Sequence, residues 1–169
     1  ICRGVTLEFF NAGHILGSCG VLLEGQNIAG LPARAIWRKG VGRTFQIAQT
    51  FASLSVLENV QMALLSHDRR VFAWWPRASS HRREHALALL DQVGMAAQAG
   101  SPCSELAYGD VKRVEIAMAL AHDPKLLLMD EPTAGMDALA RRQMWDLLRS
   151  LMERNLTILL TTHYIDEAQ

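Results

Sequence analysis

The stretch Lys125-Leu126-Leu127-Leu128-Met129-Asp130-Glu131-Pro132 decides the fold of this chain. An apolar run leads straight into two adjacent carboxylates, and a proline follows at once. The run is too short for a comfortable helix and predicts a strand buried on both faces of a parallel sheet. Its two acids then emerge at the carboxyl end of the strand, where open α/β sheets place their ligands. Side chains alternate along a strand, so Asp130 and Glu131 are expected to point in different directions and to serve different ends. One carboxylate suits Mg²⁺, directly or through water, and the other suits the orientation or deprotonation of an attacking water. Taken alone, the pattern also describes a core strand ending in a solvated acidic turn. The motifs on either side decide between the two.

The 169 residues suffice for one domain with a real core, and half of them are hydrophobic and a fifth charged, as in ordinary globular proteins. Seventeen basic and 17 acidic residues cancel, which speaks against nucleic-acid binding through bulk charge. Cys2, Cys19 and Cys103 are odd in number and lack paired metal-ligand spacing, so free thiols in a reducing compartment are expected. No apolar run approaches membrane-spanning length and no basic-then-apolar leader opens the chain, so membrane contact is expected through a partner.

Outward from the strand, two β-rich runs are expected at Val5–Phe10 and Val21–Glu24, around turn-like Asn11–His14 and Gly17-Ser18. Gly30-Leu31-Pro32 opens a short helix, Ala33–Lys39, which Gly40 closes. Arg43-Thr44-Phe45-Gln46 has the look of a short strand delivering Gln46 to a loop. Ser55 and Glu58 form a capping box for a helix to about Ser66, with Val56, Leu57, Val60, Leu64 and Leu65 on its apolar side. Residues 67–83 mix arginines with Trp74 and Trp75, and this basic-aromatic excursion fits a partner-facing surface or a small satellite core better than a nucleic-acid site. A further helix is expected from about Ser80 to Val93. Another, Val111–His122, follows Ser104–Asp110, and an amphipathic one covers Ala138–Arg154. Thr157–Thr161 is a second buried strand, ending at Thr162-His163. The helix–strand alternation from residue 104 onward argues a parallel sheet.

Together these motifs resemble the ATP-binding subunit of an ABC transporter over about residues 21–169. Gln46 stands in the Q-loop position, Leu106-Ala107-Tyr108-Gly109-Asp110 in that of the signature loop, and Leu126–Asp130 with Glu131 in that of Walker B and the catalytic glutamate. Ala134-Gly135-Met136-Asp137 takes the D-loop position and His163 the H-loop. The resemblance implies a P-loop-NTPase-like α/β domain with a parallel sheet and a helical subdomain at about residues 47–122. It also implies ATP and Mg²⁺ as cofactors, a second ABC ATPase subunit as homo- or heterodimer partner, and transmembrane permease subunits at the cytoplasmic face of the membrane. By the same resemblance Asp130 and Gln46 hold Mg²⁺, Glu131 is the general base, and His163 contacts the γ-phosphate. Tyr108, Gly109 and Asp110 would close on ATP held by the opposite subunit, and Asp137 would line the dimer seam. A glycine there permits close backbone approach to phosphate, and the helix start near Asp110 offers unsatisfied N–H groups. As plain structure, Gln46 and His163 are strand-end polar residues and Gly109-Asp110 a helix cap.

Residues 21–137 are most similar to branched-chain amino acid importers, in Leu23–Pro32, in Gly42–Gln46, and in Leu106–Arg113 with Met129–Asp137. The stretch from Ala140-Arg141-Arg142 to Thr162-His163-Tyr164 is more similar to drug or polysaccharide exporters. The departure from the family is the phosphate loop G-x-x-x-x-G-K-[ST]: the chain has only Lys39, Lys112 and Lys125, none in such a loop. The domain is therefore expected to be amino-terminally truncated, weak or inactive by itself, and preceded by a foreign or β-rich segment at 1–20. Val5–Ser18 resembles a segment of metallo-β-lactamase-fold nucleases in which the histidine, here His14, is a zinc ligand. The other zinc ligands of that family are absent. Two rival functions remain: an inactive subunit acting by partner binding, and a zinc-dependent hydrolase fragment.

Overall fold

The structure, a computed structural model, describes residues 7–11, 19–28, 30–44, 48–67 and 82–162. In chain order its elements are β1 (Leu7–Asn11), β2 (Cys19–Leu23), β3 (Gln26–Asn27), α1 (Ala33–Arg38), β4 (Val41–Arg43) and α2 (Val56–His67). There follow α3 (Arg83–Gln92), α4 (Tyr108–Leu120), β5 (Leu126–Asp130), α5 (Ala138–Glu153) and β6 (Thr157–Thr161).

The apolar run before Asp130 is β5, and it lies between β4 and β6 in an all-parallel sheet. Alternation along β5 serves two cores. Leu126 packs with Leu23, Ile28 and Val41, whereas Leu127 and Met129 join the main cluster with residues of α2, α3, α4 and α5. Both Leu126 and Leu127 are fully buried, as a strand covered on two faces requires. The first cluster fastens a separate antiparallel sheet, β1-β2-β3, to the parallel one. Between β2 and β3 the turn residues Glu24 and Gly25 both have positive φ (51° and 72°), the pattern of a two-residue type I′ hairpin. A short β3 was not expected, because Glu-Gly is a weaker hairpin signal than Asn-Gly or Asp-Gly.

Most local expectations hold. Lys39 caps α1, and Gly40 (φ 83°) turns the chain into β4. The capping box forms: the Ser55 hydroxyl oxygen accepts from the Glu58 N–H at 3.2 Å, and the Ser55 N–H donates to Glu58 Oε2 at 2.8 Å. The Ser55 N–H first, and then the Ser55 hydroxyl, which donates to the same Oε2 at 2.8 Å, hold the Glu58 carboxyl below its ordinary value. The stability they contribute is complete above the ordinary carboxylate range and is lost as pH falls through the lowered value. Ser55→Ala is expected to cost about 1 kcal/mol at neutral pH and to flatten the acid limb of stability, read as urea midpoints across pH.

Three boundaries differ most. β2 is Cys19–Leu23 and not Val21–Glu24, because Glu24 belongs to the turn, and β4 is Val41–Arg43 and not Arg43–Gln46, because its pairing with Leu126–Leu128 starts at Val41. α4 begins at Tyr108, not Val111, because Ala107 is extended (φ −63°, ψ 151°) and its carbonyl accepts the N–H groups of Asp110 (2.9 Å) and Val111 (3.0 Å). Tyr108, Gly109 and Asp110 are thus the first helical turn rather than a loop before it. Among the described residues no helix is long and apolar enough to cross a membrane. Gln46, His163, His14, Trp74 and Trp75 lie outside the described residues.

Candidate functional site

At the carboxyl end of β5 the chain turns sharply. Asp130 is still in register, opposite Thr161 of β6, and Oδ1 of its half-buried carboxylate accepts from the Thr161 hydroxyl at 2.5 Å. Glu131 leaves the strand with φ 45°, a left-handed conformation uncommon for a residue bearing a Cβ. Its N–H still reaches β6, donating to the Thr161 carbonyl at 3.0 Å. The two acids therefore diverge as expected, but through a backbone turn rather than by strand alternation alone. Glu24, Arg82, Asp123 and Asn155 also have positive φ, so the conformation marks a tight reversal and not by itself a functional site.

The segment after Glu131 is two overlapping turns: Ala134 N–H donates to the Glu131 carbonyl and Met136 N–H to that of Thr133. Gly135 (φ 74°) supplies the second reversal. Asp137 then caps α5, its Oδ1 accepting from the Ala140 N–H at 2.8 Å. The expected seam residue is thus an exposed N-cap, with one oxygen committed to its own helix.

The described candidate residues fall into two groups. Asp130 lines a cavity of about 280 Å³ with Arg43, Thr44 and Thr161, floored by Leu126, Leu128 and Leu159. Tyr108, Gly109, Asp110 and Asp137 line a second cavity of about 270 Å³, between the first turns of α4 and α5. The two cavities share no residue. Carboxylate and hydroxyl oxygens beside Asp130 match the hard oxygen ligands that Mg²⁺ prefers, so the residues present fit that ion.

Gly109 is helical and not left-handed, and a Cβ there would meet Ala140 Cβ at an ordinary 3.5 Å. Neither backbone conformation nor packing calls for glycine, although glycine within a helix costs about 0.5–1 kcal/mol relative to alanine. Tyr108 is exposed, and its ring is within reach of Gly135. Partial burial, followed by the negative charge of Glu115, pushes its phenol above the ordinary value and keeps it a proton donor.

Two residues escaped the sequence reading. Lys112 and Glu115 of α4 are buried and ion-paired at 3.2 Å. A helical wheel that credits only apolar residues with the buried side passes over them. The one available signal was their spacing, which alone describes an ordinary surface pair.

Comparison with known proteins agrees with this geometry. The family profile described as ABC transporter matches residues 9–134, a span that takes in part of the segment set apart at 1–20. The branched-chain amino acid transport ATP-binding protein LivG of Escherichia coli (strain K12) is 35% identical over 151 residues, covering 85% of this chain and 59% of LivG. The Nod factor export ATP-binding protein I of Rhizobium etli is 36% identical over 141 residues, covering 82% of this chain and 42% of the relative. A dimeric post-hydrolysis structure of the ATP-binding cassette MJ0796, bound to ADP and Pi, superposes with a TM-score of 0.68 at 27% identity, covering 89% of this chain and 65% of that one. The chain spans about 59% of the length of LivG. With the acids at the end of a parallel strand and the profile matched over most of its length, the chain belongs to the ATP-binding proteins of the ABC transporter family.

Proposed function

We propose that this chain binds Mg-ATP as part of a subunit that powers an ABC transporter, with branched-chain amino acid import as the transport it serves. The carrying observation is the placement of Asp130 and Glu131 at the carboxyl end of the central parallel strand, with the chain reversing at Glu131. Asp130 holds Mg²⁺, with Gln46 completing its contacts, and Glu131 takes the proton of the attacking water. His163 contacts the γ-phosphate. When bound, Mg²⁺ supplies charge neutralisation across the β- and γ-phosphates.

The separation of the two cavities supports a dimer. Tyr108, Gly109 and Asp110 then act on nucleotide held by the other subunit, with Asp137 between them, and Gly109 leaves room for a phosphate against the first turn of α4. The helical part that carries this turn, about residues 47–122, is the subdomain that closes. The partners are a second ABC ATPase subunit and transmembrane permease subunits, reached from the cytoplasmic face of the membrane. Import is favoured by LivG, while the comparable identity to the Nod factor exporter is the competing indication for substrate and direction.

These 169 residues contain no lysine phosphate loop, so this function requires that loop from outside them. The second reading is a catalytically silent subunit that works by partner binding. Calorimetry of Mg-ATP with the intact subunit separates the two. Binding in the micromolar range that Asp130→Ala weakens at least about tenfold supports the ATPase. A folded protein that binds no nucleotide supports the silent subunit.

A further inference from the structure

The buried charge pair on α4 lines neither of the two cavities. Lys112 Nζ lies 3.2 Å from Glu115 Oε2, and the two side chains are only 3% and 5% exposed. Helix stability does not account for their burial. An exposed pair at this spacing adds only a few tenths of a kcal/mol, whereas removing two charges from water costs several kcal/mol per ion before their attraction is counted. Both groups, however, reach beyond their own pairing. The other carboxylate oxygen, Glu115 Oε1, accepts the backbone N–H of Gln49 at 3.4 Å. On the opposite side, Lys112 Nζ stands 5.9 Å from the centre of the Tyr108 ring, at cation–π distance. Gln49 follows Gln46 closely in the chain, and Tyr108 opens the turn that carries Gly109 and Asp110.

We propose that Lys112 and Glu115 are a positioning pair that ties the chain after Gln46 to the first turn of α4, so that the two shift together. The inference rests on the function proposed above for its consequence, but not for its geometry. Two opposite charges locked inside a helix give a stiff link, because neither can turn away without leaving the other buried and unpaired. The contacts run from Gln49 through Glu115 and Lys112 to Tyr108, and therefore join the chain beside one nucleotide-facing group to the turn that faces the partner. An apolar pair of similar size fills the same space without the link, and such replacements leave stability unchanged or raised.

The test is residue-resolved amide hydrogen exchange on the intact, nucleotide-free subunit, comparing wild type with the double variant Lys112→Met and Glu115→Leu. The double variant is expected to keep its unfolding midpoint. Exchange should quicken about tenfold at the Gln49 amide and in the Tyr108–Val111 turn, with α2 and α3 unchanged. Quickening at Gln49 with the turn at its wild-type rate would reduce the contact to a local hydrogen bond and overturn the proposal. Unchanged exchange at Gln49, or an even rise across all helices, overturns it as well. With Mg-ATP added, the wild type is expected to slow at both segments together and the variant at one only. No nucleotide effect in the wild type counts against the ATP-binding function, while the nucleotide-free rates still decide the tie.

Discussion

Glu131→Gln is expected to lower Mg-ATP turnover of the assembled transporter at least about hundredfold while leaving nucleotide binding intact, measured as phosphate release beside calorimetric affinity. The amide keeps the size and hydrogen-bonding capacity of the side chain but cannot take a proton from water, so the loss falls on kcat. The backbone of Glu131 is fixed at the end of β5. Its φ of 45° is adopted with a Cβ in place, and its N–H is fixed to the Thr161 carbonyl at 3.0 Å. Turnover within about twofold of wild type would remove Glu131 as general base and would strengthen the silent-subunit alternative.

The second large effect is on stability. Leu127→Ala is expected to cost about 2–5 kcal/mol, read as a fall in the urea midpoint with unchanged slope. Leu127 is fully buried in the middle strand of the parallel sheet, with β4 and β6 on either side, so the backbone is not free to close over the cavity. Its Cδ1 already lies 3.1 Å from where a Cβ on Gly42 would stand, a measure of how tightly the neighbouring strands pack around it. Since whole domains are stable by about 5–15 kcal/mol, this one change removes a large share. Leu139→Ala is the control: the side chain is 67% exposed, and the expected change is within about 0.5 kcal/mol. Similar costs for the two would mean that β5 is not the core strand described.

The sequence by itself determined the elements whose causes are local. The run Leu126–Met129 between Pro124 and Pro132 had to be a short covered strand. Ser55 with Glu58 marked the start of a helix, and the spacing of Met144, Leu147, Leu148 and Leu151 marked the apolar side of α5, on which Met144, Leu148 and Leu151 are buried and Leu147 half-buried. The two acids at the strand end were legible for the same reason, since strand direction in a parallel sheet places them at the ligand-facing edge. The tertiary structure alone decided what depends on distant partners. It separated Asp130 from Tyr108, Gly109 and Asp110 into two cavities, and it moved the start of α4 back to Tyr108. It also buried Lys112 and Glu115, which any pattern of hydrophobicity assigns to solvent. Periodicity and capping chemistry act between residues a turn apart and can be read along the chain; the burial of a charge is settled by the groups that reach it from elsewhere in the fold, and only their meeting in space reveals it.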